Sequence, residues 1–165
     1  MMIRMKVQGL AIDPYTNVPI VILKDSDEKN ALPVWIGVLE ASAIASQIEK
    51  IEFSRPMTHD LLSEVLKNVN VGVDRVELND LRDNVYYATI HFSKADGVFK
   101  LDARPSDAIA LALRTGSPIF VDATVLEKSK TMETKTEPSG DGERTDAHTD
   151  GLEDLSPDSF GKYKM

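Results

Sequence analysis

Apolar and polar residues alternate with two different periods along residues 3–121. Seven runs rich in Val, Ile and Leu, bounded by turn signals such as Asp13-Pro14 and Asp83-Asn84, predict β-strands. Three other stretches repeat their apolar residues with a helical period, which predicts α-helices. The strands are predicted over residues 3–12, 18–24, 31–36, 72–81, 85–93, 97–102 and 118–121, and the helices over 38–51, 58–69 and 105–115. Together they predict an α+β fold.

The pattern contains one order of elements twice. Strand, tight turn, strand, strand and helix run over residues 3–51 and again over 72–115, and Glu40 of the first run aligns with Asp107 of the second. A duplicated β-β-β-α unit, with an inserted helix after Arg55, is the economical description, although short amphipathic segments also resemble one another by chance. The strands of such a fold are expected to form mixed or antiparallel sheets.

The length of 165 residues suits one well-packed domain, which we place at residues 1–127. Residues 128–150 consist mainly of Thr, Glu, Lys, Gly, Asp and Ser, and they predict a flexible linker because they bury too little apolar surface to offset the cost of ordering. Apolar residues return in residues 151–165 around Ser156-Pro157. We therefore expect this flexible C-terminal tail to end in a segment that docks on the domain or on another chain.

Composition limits which class of protein this chain can be and which partners it can bind. The chain has no cysteine, which excludes disulfides, thiolate nucleophiles and Cys-based zinc sites. It shows no signal-peptide features and no apolar run of membrane-spanning length, so we expect a cytoplasmic protein that does not enter membranes. The net charge of −8 lacks the basic surplus of a typical nucleic-acid-binding protein. Contact with DNA or RNA is therefore expected to be local or bridged by a metal ion.

The first stretch of candidate chemistry is Arg104-Pro105-Ser106-Asp107, directly before the apolar run "AIALAL". Proline suits the first position of a helix, and Ser106 or Asp107 can accept hydrogen bonds from free amides of the first turn. Helix capping alone thus explains three of the four residues. It does not explain Arg104, and a helix that is apolar nearly all round is expected to be buried, with its start at a cleft.

The second stretch, "RPMTHD", repeats this order of arginine, proline and acid over residues 55–60. Thr58 can cap the helix, and Asp60 can belong to a solvated polar face opposite the leucines. The alternative is a divalent-cation site made by carboxylates and the His59 imidazole, a ligand set that suits Mg²⁺ or Mn²⁺.

Two further residues carry expectations of their own. Glu40 lies at the boundary of the apolar face of its helix, where a carboxylate needs an arginine or a metal as partner. A structural salt bridge satisfies this need as well as a functional site does. Trp35, within "LPVWIG", is expected to belong to the core.

Several motifs together resemble the bifunctional nuclease family, a mostly bacterial domain with plant relatives. They are "LPVWIGVLEASAIA", "RPMTHDLL", "LDARPSDAIALALRTGSPIFV" and the closing "LSPDSFGKYKM". The resemblance implies cleavage of both DNA and RNA. The chain has Met57 where family members often have Thr. The family's motif positions fall on Trp35, Gly37, Glu40, Arg55, Pro56, His59, Asp60, Arg104, Pro105, Ser106 and Asp107.

These residues suggest one composite catalytic site. Glu40, Asp60 and Asp107 would bind a divalent metal, and His59 would act as general base or as a further ligand. Arg55 and Arg104 would stabilise charge on the phosphoryl oxygens, and Ser106 completes the candidate catalytic set. The acidic surface predicts weak, non-specific binding of DNA or RNA, or a preference for short single strands.

A second hypothesis comes from another class of protein. The same arginines would pair permanently with Glu40, Asp60 and Asp107 in a non-catalytic domain. Such a domain would form a homo-oligomer or bind a regulatory partner through its apolar C-terminal segment. The negative charge and the lack of an established nuclease motif favour this alternative, whereas the family resemblance favours the nuclease.

Overall fold

A computed structural model describes residues 1–136 of the chain. The strands in this range are β1 (Met2–Ile12), β2 (Pro19–Asp25), β3 (Ala31–Trp35), β4 (Gly72–Arg82), β5 (Val85–Lys94), β6 (Gly97–Ala103) and β7 (Ile119–Asp122). The helices are α1 (Val38–Ile48), α2 (Thr58–Asn68), α3 (Pro105–Thr115) and α4 (Ala123–Thr136). The seven predicted strands and three predicted helices are confirmed. None of the helices within residues 1–136 is both long enough and apolar enough to cross a membrane.

The strands form one mixed sheet in the order β3-β2-β1-β7-β4-β5-β6. The β4–β7 pair is parallel and the other neighbouring pairs are antiparallel. The two predicted β-β-β-α units are present as β1-β2-β3-α1 and β4-β5-β6-α3, and their first strands lie on either side of β7. A single α+β domain is therefore confirmed.

Helix α3 lies at the centre of the core. Its residues Ala108–Ala112 are buried, and it packs against β4 and β5 on one side and against α1 and α2 on the others. The sequence requires this position because the helix is apolar nearly all round. Gly116 ends the helix in the left-handed conformation, at φ 70°, which glycine adopts without steric cost. A hydrogen bond from Arg104 to Glu40 holds the start of α3 against the start of α1.

Helix α4 was not predicted, and it continues through Thr136, past Lys128 where the linker was expected to begin. Asp122 starts this helix by accepting hydrogen bonds from the backbone and the hydroxyl of Thr124. Val125 and Leu126 are buried in the core. This single apolar face orders a segment whose composition is otherwise polar. The rest of the predicted linker and the predicted docking segment, residues 151–165, lie outside the described residues.

Trp35 is not a core residue, contrary to the prediction. Its side chain is 43% exposed, and its indole Nε1 donates to Asp13 Oδ2 at 3.0 Å. The cause is strand alternation on β3, an edge strand of the sheet. Leu32 and Val34 face the core, so Trp35 faces away from it.

Helix α2 turns its apolar stripe outward, where the sequence suggested that the polar side would be the solvated one. Its buried residue is Ser63, and His59 and Leu66 are partly buried beside it. The exposed residues of the stripe, which we call the α2 stripe, are Leu61, Leu62, Val65 and Val69. Polar pairs with α3 determine this rotation: His59 contacts Asp107, and Asp60 accepts from Arg114.

The Arg114 side chain is only 5% exposed and links three helices. Its Nε donates to Asp60 Oδ1 at 2.6 Å, and its Nη1 donates to the carbonyls of Ala43 and Ala110 at 3.0 and 2.9 Å. Asp60 Oδ2 also accepts from the backbone amide of Met57. Burial raises the pKa of Asp60, but the hydrogen bonds from Arg114 and Met57 outweigh it and hold the pKa below its usual range. Asp60 is therefore a structural anchor of α2.

Replacing Arg114 by methionine should destabilise the domain strongly. The change keeps an apolar stem but removes the guanidinium that donates to the Asp60 carboxylate and to two carbonyls. We expect the free energy of unfolding in urea to fall by roughly 3 kcal/mol, as for other broken buried ion pairs. The matched control is Arg82→Met, because Arg82 also pairs with an aspartate but is 66% exposed. Its loss should be much smaller because water screens an exposed ion pair, and equal losses in the two variants would contradict the anchoring role.

The α2 stripe provides a test of the predicted homo-oligomer. A row of apolar side chains on one helix is a common feature of protein–protein interfaces. If the stripe forms the contact, the parent chain should sediment above monomer mass and Val65→Lys should return it to the monomer. The matched control is Val98→Lys, which adds the same charge at an exposed valine of β6. A parent chain that sediments as a monomer would contradict the prediction.

Candidate active site

Arg104 is the residue around which the candidate active site is built. It follows β6 and occupies the N-cap position of α3, where its extended backbone, with φ −67° and ψ 144°, aims the side chain back across the helix start. Its Nε and Nη2 donate to the two oxygens of Asp107 at 2.7 and 3.1 Å, and its Nη1 donates to Glu40 Oε1 at 2.7 Å. One guanidinium thus joins the first turns of α1 and α3. The hydrogen bonds that Arg104 donates to Asp107 and Glu40 raise the pKa of Arg104 above its usual value.

The two carboxylates occupy the same position in their helices. Glu40 is the third residue of α1 and Asp107 the third of α3, where a negative charge suits the helix dipole. Gly37, the N-cap of α1, leaves the space that the Glu40 carboxylate fills. A Cβ at this position would lie 2.1 Å from Glu40 Oε2, so any side chain there would displace the carboxylate.

His59 adds an imidazole to the cluster from the first turn of α2. Its Nε2 lies 2.9 Å from Asp107 Oδ1, and its side chain is mostly buried. Burial raises the pKa of Asp107, but hydrogen bonds from Arg104 and His59 outweigh it, so the pKa lies below the usual range. Asp107 therefore stays ionised at neutral pH and orients both of its partners.

Two clefts meet at this cluster. The first, which we call the Phe53 cleft, has a volume of about 400 Å³, and its lining includes Leu39, Phe53, Met57, His59 and Asp107. The second, the Trp35 cleft, has a volume of about 280 Å³ and is lined in part by Trp35, Gly37, Val85, Tyr86 and Ser106. Glu40 and Arg104 line both and form their common wall.

The structure brings together four of the seven predicted catalytic residues: Glu40, His59, Arg104 and Asp107. Asp60 is held by Arg114 instead. Arg55 is exposed in the loop before α2 and lines neither cleft, whereas Ser106 is buried beside the Trp35 cleft. Arg114 was missed by the sequence analysis. A single cation in the last turn of an otherwise apolar, buried helix was the available signal for it.

The carboxylates are not arranged as a metal site. Within residues 1–136, no group of three or more His, Asp or Glu side chains is placed to hold an ion. Glu40 and Asp107 both bind Arg104, and Asp60 binds Arg114, so each predicted ligand already has a cation as its partner. A divalent metal at Glu40, Asp60 and Asp107 does not fit this arrangement.

Comparison with known proteins identifies the relatives of the chain. An uncharacterized protein of Mycobacterium tuberculosis is 36% identical over 124 residues, which are 75% of this chain and 74% of that protein. Bifunctional nuclease 1 of Arabidopsis thaliana is 26% identical over 119 residues, and bifunctional nuclease 2 of Oryza sativa subsp. japonica is 25% identical over 118. These alignments cover 70% and 69% of this chain, but only 37% and 36% of the two plant proteins.

The family match covers most of the domain and includes Glu40, His59, Arg104 and Asp107, which we call the Arg104 cluster. The bifunctional nuclease domain matches residues 21–134, which is more than half of the chain. The chain therefore belongs to the bifunctional nuclease domain family.

Proposed function

We propose that the chain hydrolyses phosphodiester bonds in DNA and RNA at the Arg104 cluster. The observation that carries the proposal is a solvent-facing guanidinium beside an aspartate-oriented histidine. The Arg104 side chain is 64% exposed although it makes three hydrogen bonds to carboxylates. A guanidinium has five N–H donors, so two remain for the oxygens of a phosphate.

His59 acts as the general base in this proposal. A neutral imidazole that donates its Nε2 proton to Asp107 keeps a lone pair on Nδ1, which can accept a proton from water. The resulting imidazolium is stabilised by the ionised Asp107, as in other carboxylate-oriented histidines. The water oxygen bonds to phosphorus as the bond to the leaving sugar oxygen breaks, and that oxygen takes its proton from solvent. Arg104 stabilises the charge that develops on the non-bridging oxygens.

The surrounding charge favours weakly bound substrates. Glu40 and Asp107 offset the cation of Arg104, and the net charge of the chain is −8. Binding that depends on displaced counterions is therefore small. We propose that the substrates are short or weakly bound strands, and not long duplexes bound through many contacts to their phosphates.

A first test is cleavage of a labelled single-stranded oligonucleotide by purified protein. We expect His59→Gln and Asp107→Asn to lower the rate by roughly 10²- to 10⁴-fold, the range for loss of a general base. Arg104→Lys should lower it less, because the charge stays while the planar fork is lost. The matched control is Arg82→Lys, an arginine of similar exposure that pairs with Asp80. Cleavage that persists unchanged in all three site variants would identify a contaminating nuclease and refute the proposal.

The sequence also led to the proposal that cleavage depends on a metal ion, which predicts different results in the same assay. Cleavage would then require added Mg²⁺ or Mn²⁺ and cease with EDTA, and Asp60→Asn would abolish it while the fold stays intact. The ion pairs described above favour the alternative outcome. In that outcome Asp60→Asn lowers the free energy of unfolding, and the folded fraction keeps its rate of cleavage.

A second candidate function is a non-catalytic domain that assembles with itself or with a regulatory protein. It is favoured by the complete pairing of Glu40, Asp60 and Asp107 with arginines and by the outward-facing α2 stripe. This function predicts no cleavage under any metal condition. It also predicts an assembly that Val65→Lys disrupts and Asp107→Asn leaves intact.

A further inference from the structure

The two clefts that meet at Arg104 each hold one exposed aromatic side chain. Phe53, 39% exposed, lines one cleft, and Trp35, 43% exposed, lines the other. Glu40 and Arg104 form the wall between them. A ligand that crosses this wall therefore meets an aromatic ring, a guanidinium and a second aromatic ring in succession.

Trp35 is fixed in place, as a stacking surface must be. Its indole Nε1 donates to Asp13 Oδ2 at 3.0 Å, and the hydrogen bond from Trp35 is the main cause that lowers the pKa of Asp13. Strand β3 turns the ring away from the core. The protein thus exposes its one tryptophan in a defined orientation at the edge of a cleft.

Phe53 lies in the segment between α1 and α2, and two other apolar side chains of its cleft are also exposed. These are Leu39, which is mostly exposed, and Met57, which is half-exposed. Mostly apolar walls with a few polar groups are characteristic of sites for small ligands. The polar groups that line this cleft include Glu40, His59, Arg104 and Asp107.

We infer that the clefts bind two successive unpaired bases of a single strand, one against Phe53 and one against Trp35, with the connecting phosphate at Arg104. Stacking of bases on aromatic rings does not depend on a positive surface, so it can supply affinity in a chain whose net charge is −8. In a duplex both faces of each base are already stacked and are unavailable to the rings. The substrate class is therefore unpaired DNA or RNA of at least two nucleotides. This inference rests on the proposed function for the position of the phosphate.

The single tryptophan is also the reporter for the test. Binding of an eight-nucleotide oligo(dT) with uncleavable phosphorothioate linkages should quench the fluorescence of Trp35, whereas the same sequence in a duplex should not. Anisotropy of a labelled oligonucleotide gives the dissociation constant of each variant. Phe53→Ala should weaken binding by about tenfold or more, the range for loss of one stacked base.

The matched control for Phe53→Ala is Phe99→Ala. Phe99 is a phenylalanine of the same exposure, 38%, but it stacks on Phe92 at the sheet edge and lines neither cleft. Its loss should leave the dissociation constant unchanged. Trp35→Leu should weaken binding as Phe53→Ala does, and Trp35→Phe should restore most of the affinity because it keeps a ring.

The outcomes separate this inference from the proposed nuclease. Quenching of Trp35 fluorescence by single strands, without cleavage, would support base binding in the two clefts and refute the nuclease. Equal rates of cleavage for single strands and duplexes, with Phe53→Ala and Trp35→Leu cleaving as fast as the parent, would support the nuclease. They would overturn the inference that the Phe53 and Trp35 clefts bind bases. Equal weakening by Phe53→Ala and Phe99→Ala would also overturn it, because the effect would then be general destabilisation.

Discussion

The pairing of the buried Arg114 guanidinium is the constraint on which the other helices depend. A charge that is 5% exposed is stable only when its N–H groups find acceptors, and α3 is too deeply packed to let the side chain reach water. The acceptors come from carbonyls of α1 and α3 and from the carboxylate of Asp60 on α2. Asp60 must therefore face α3, and this requirement sets the rotation of the whole of α2.

That rotation has two consequences on opposite sides of α2. His59 precedes Asp60 in the first turn and is brought within 2.9 Å of Asp107. The apolar residues of the α2 stripe are turned away from the core at the same time. The domain thus leaves an apolar surface exposed in order to satisfy a buried charge, and the same rotation places an imidazole beside a carboxylate.

The sequence predicted the helices and strands well. It predicted less well which face of each element is buried. Periodicity located the seven strands and three helices, and the boundary position of Glu40 correctly called for a cationic partner. The prediction of a core position for Trp35 was wrong because Trp35 faces away from the core on an edge strand, and only the sheet order reveals that β3 is an edge strand. The α2 stripe was misjudged because the rotation of α2 depends on Arg114, a contact 54 residues away in the chain. Helix α4 was missed because burial of a few apolar residues against the sheet, and not its composition, orders it.

A difference between the two β-β-β-α units explains why a single arginine, Arg104, binds two carboxylates. Glu40 and Asp107 stand third in α1 and α3, and the corresponding N-cap residues are Gly37 and Arg104. An arginine at both caps would place a second guanidinium against the same two carboxylates. With glycine in the first unit, the Glu40 carboxylate fills the space at Gly37 and reaches the single Arg104. The difference between the units therefore leaves two carboxylates around one exposed guanidinium, and exposed pairs of this kind add little to stability. The fold gains little from this arrangement, which therefore agrees with the ligand site proposed above.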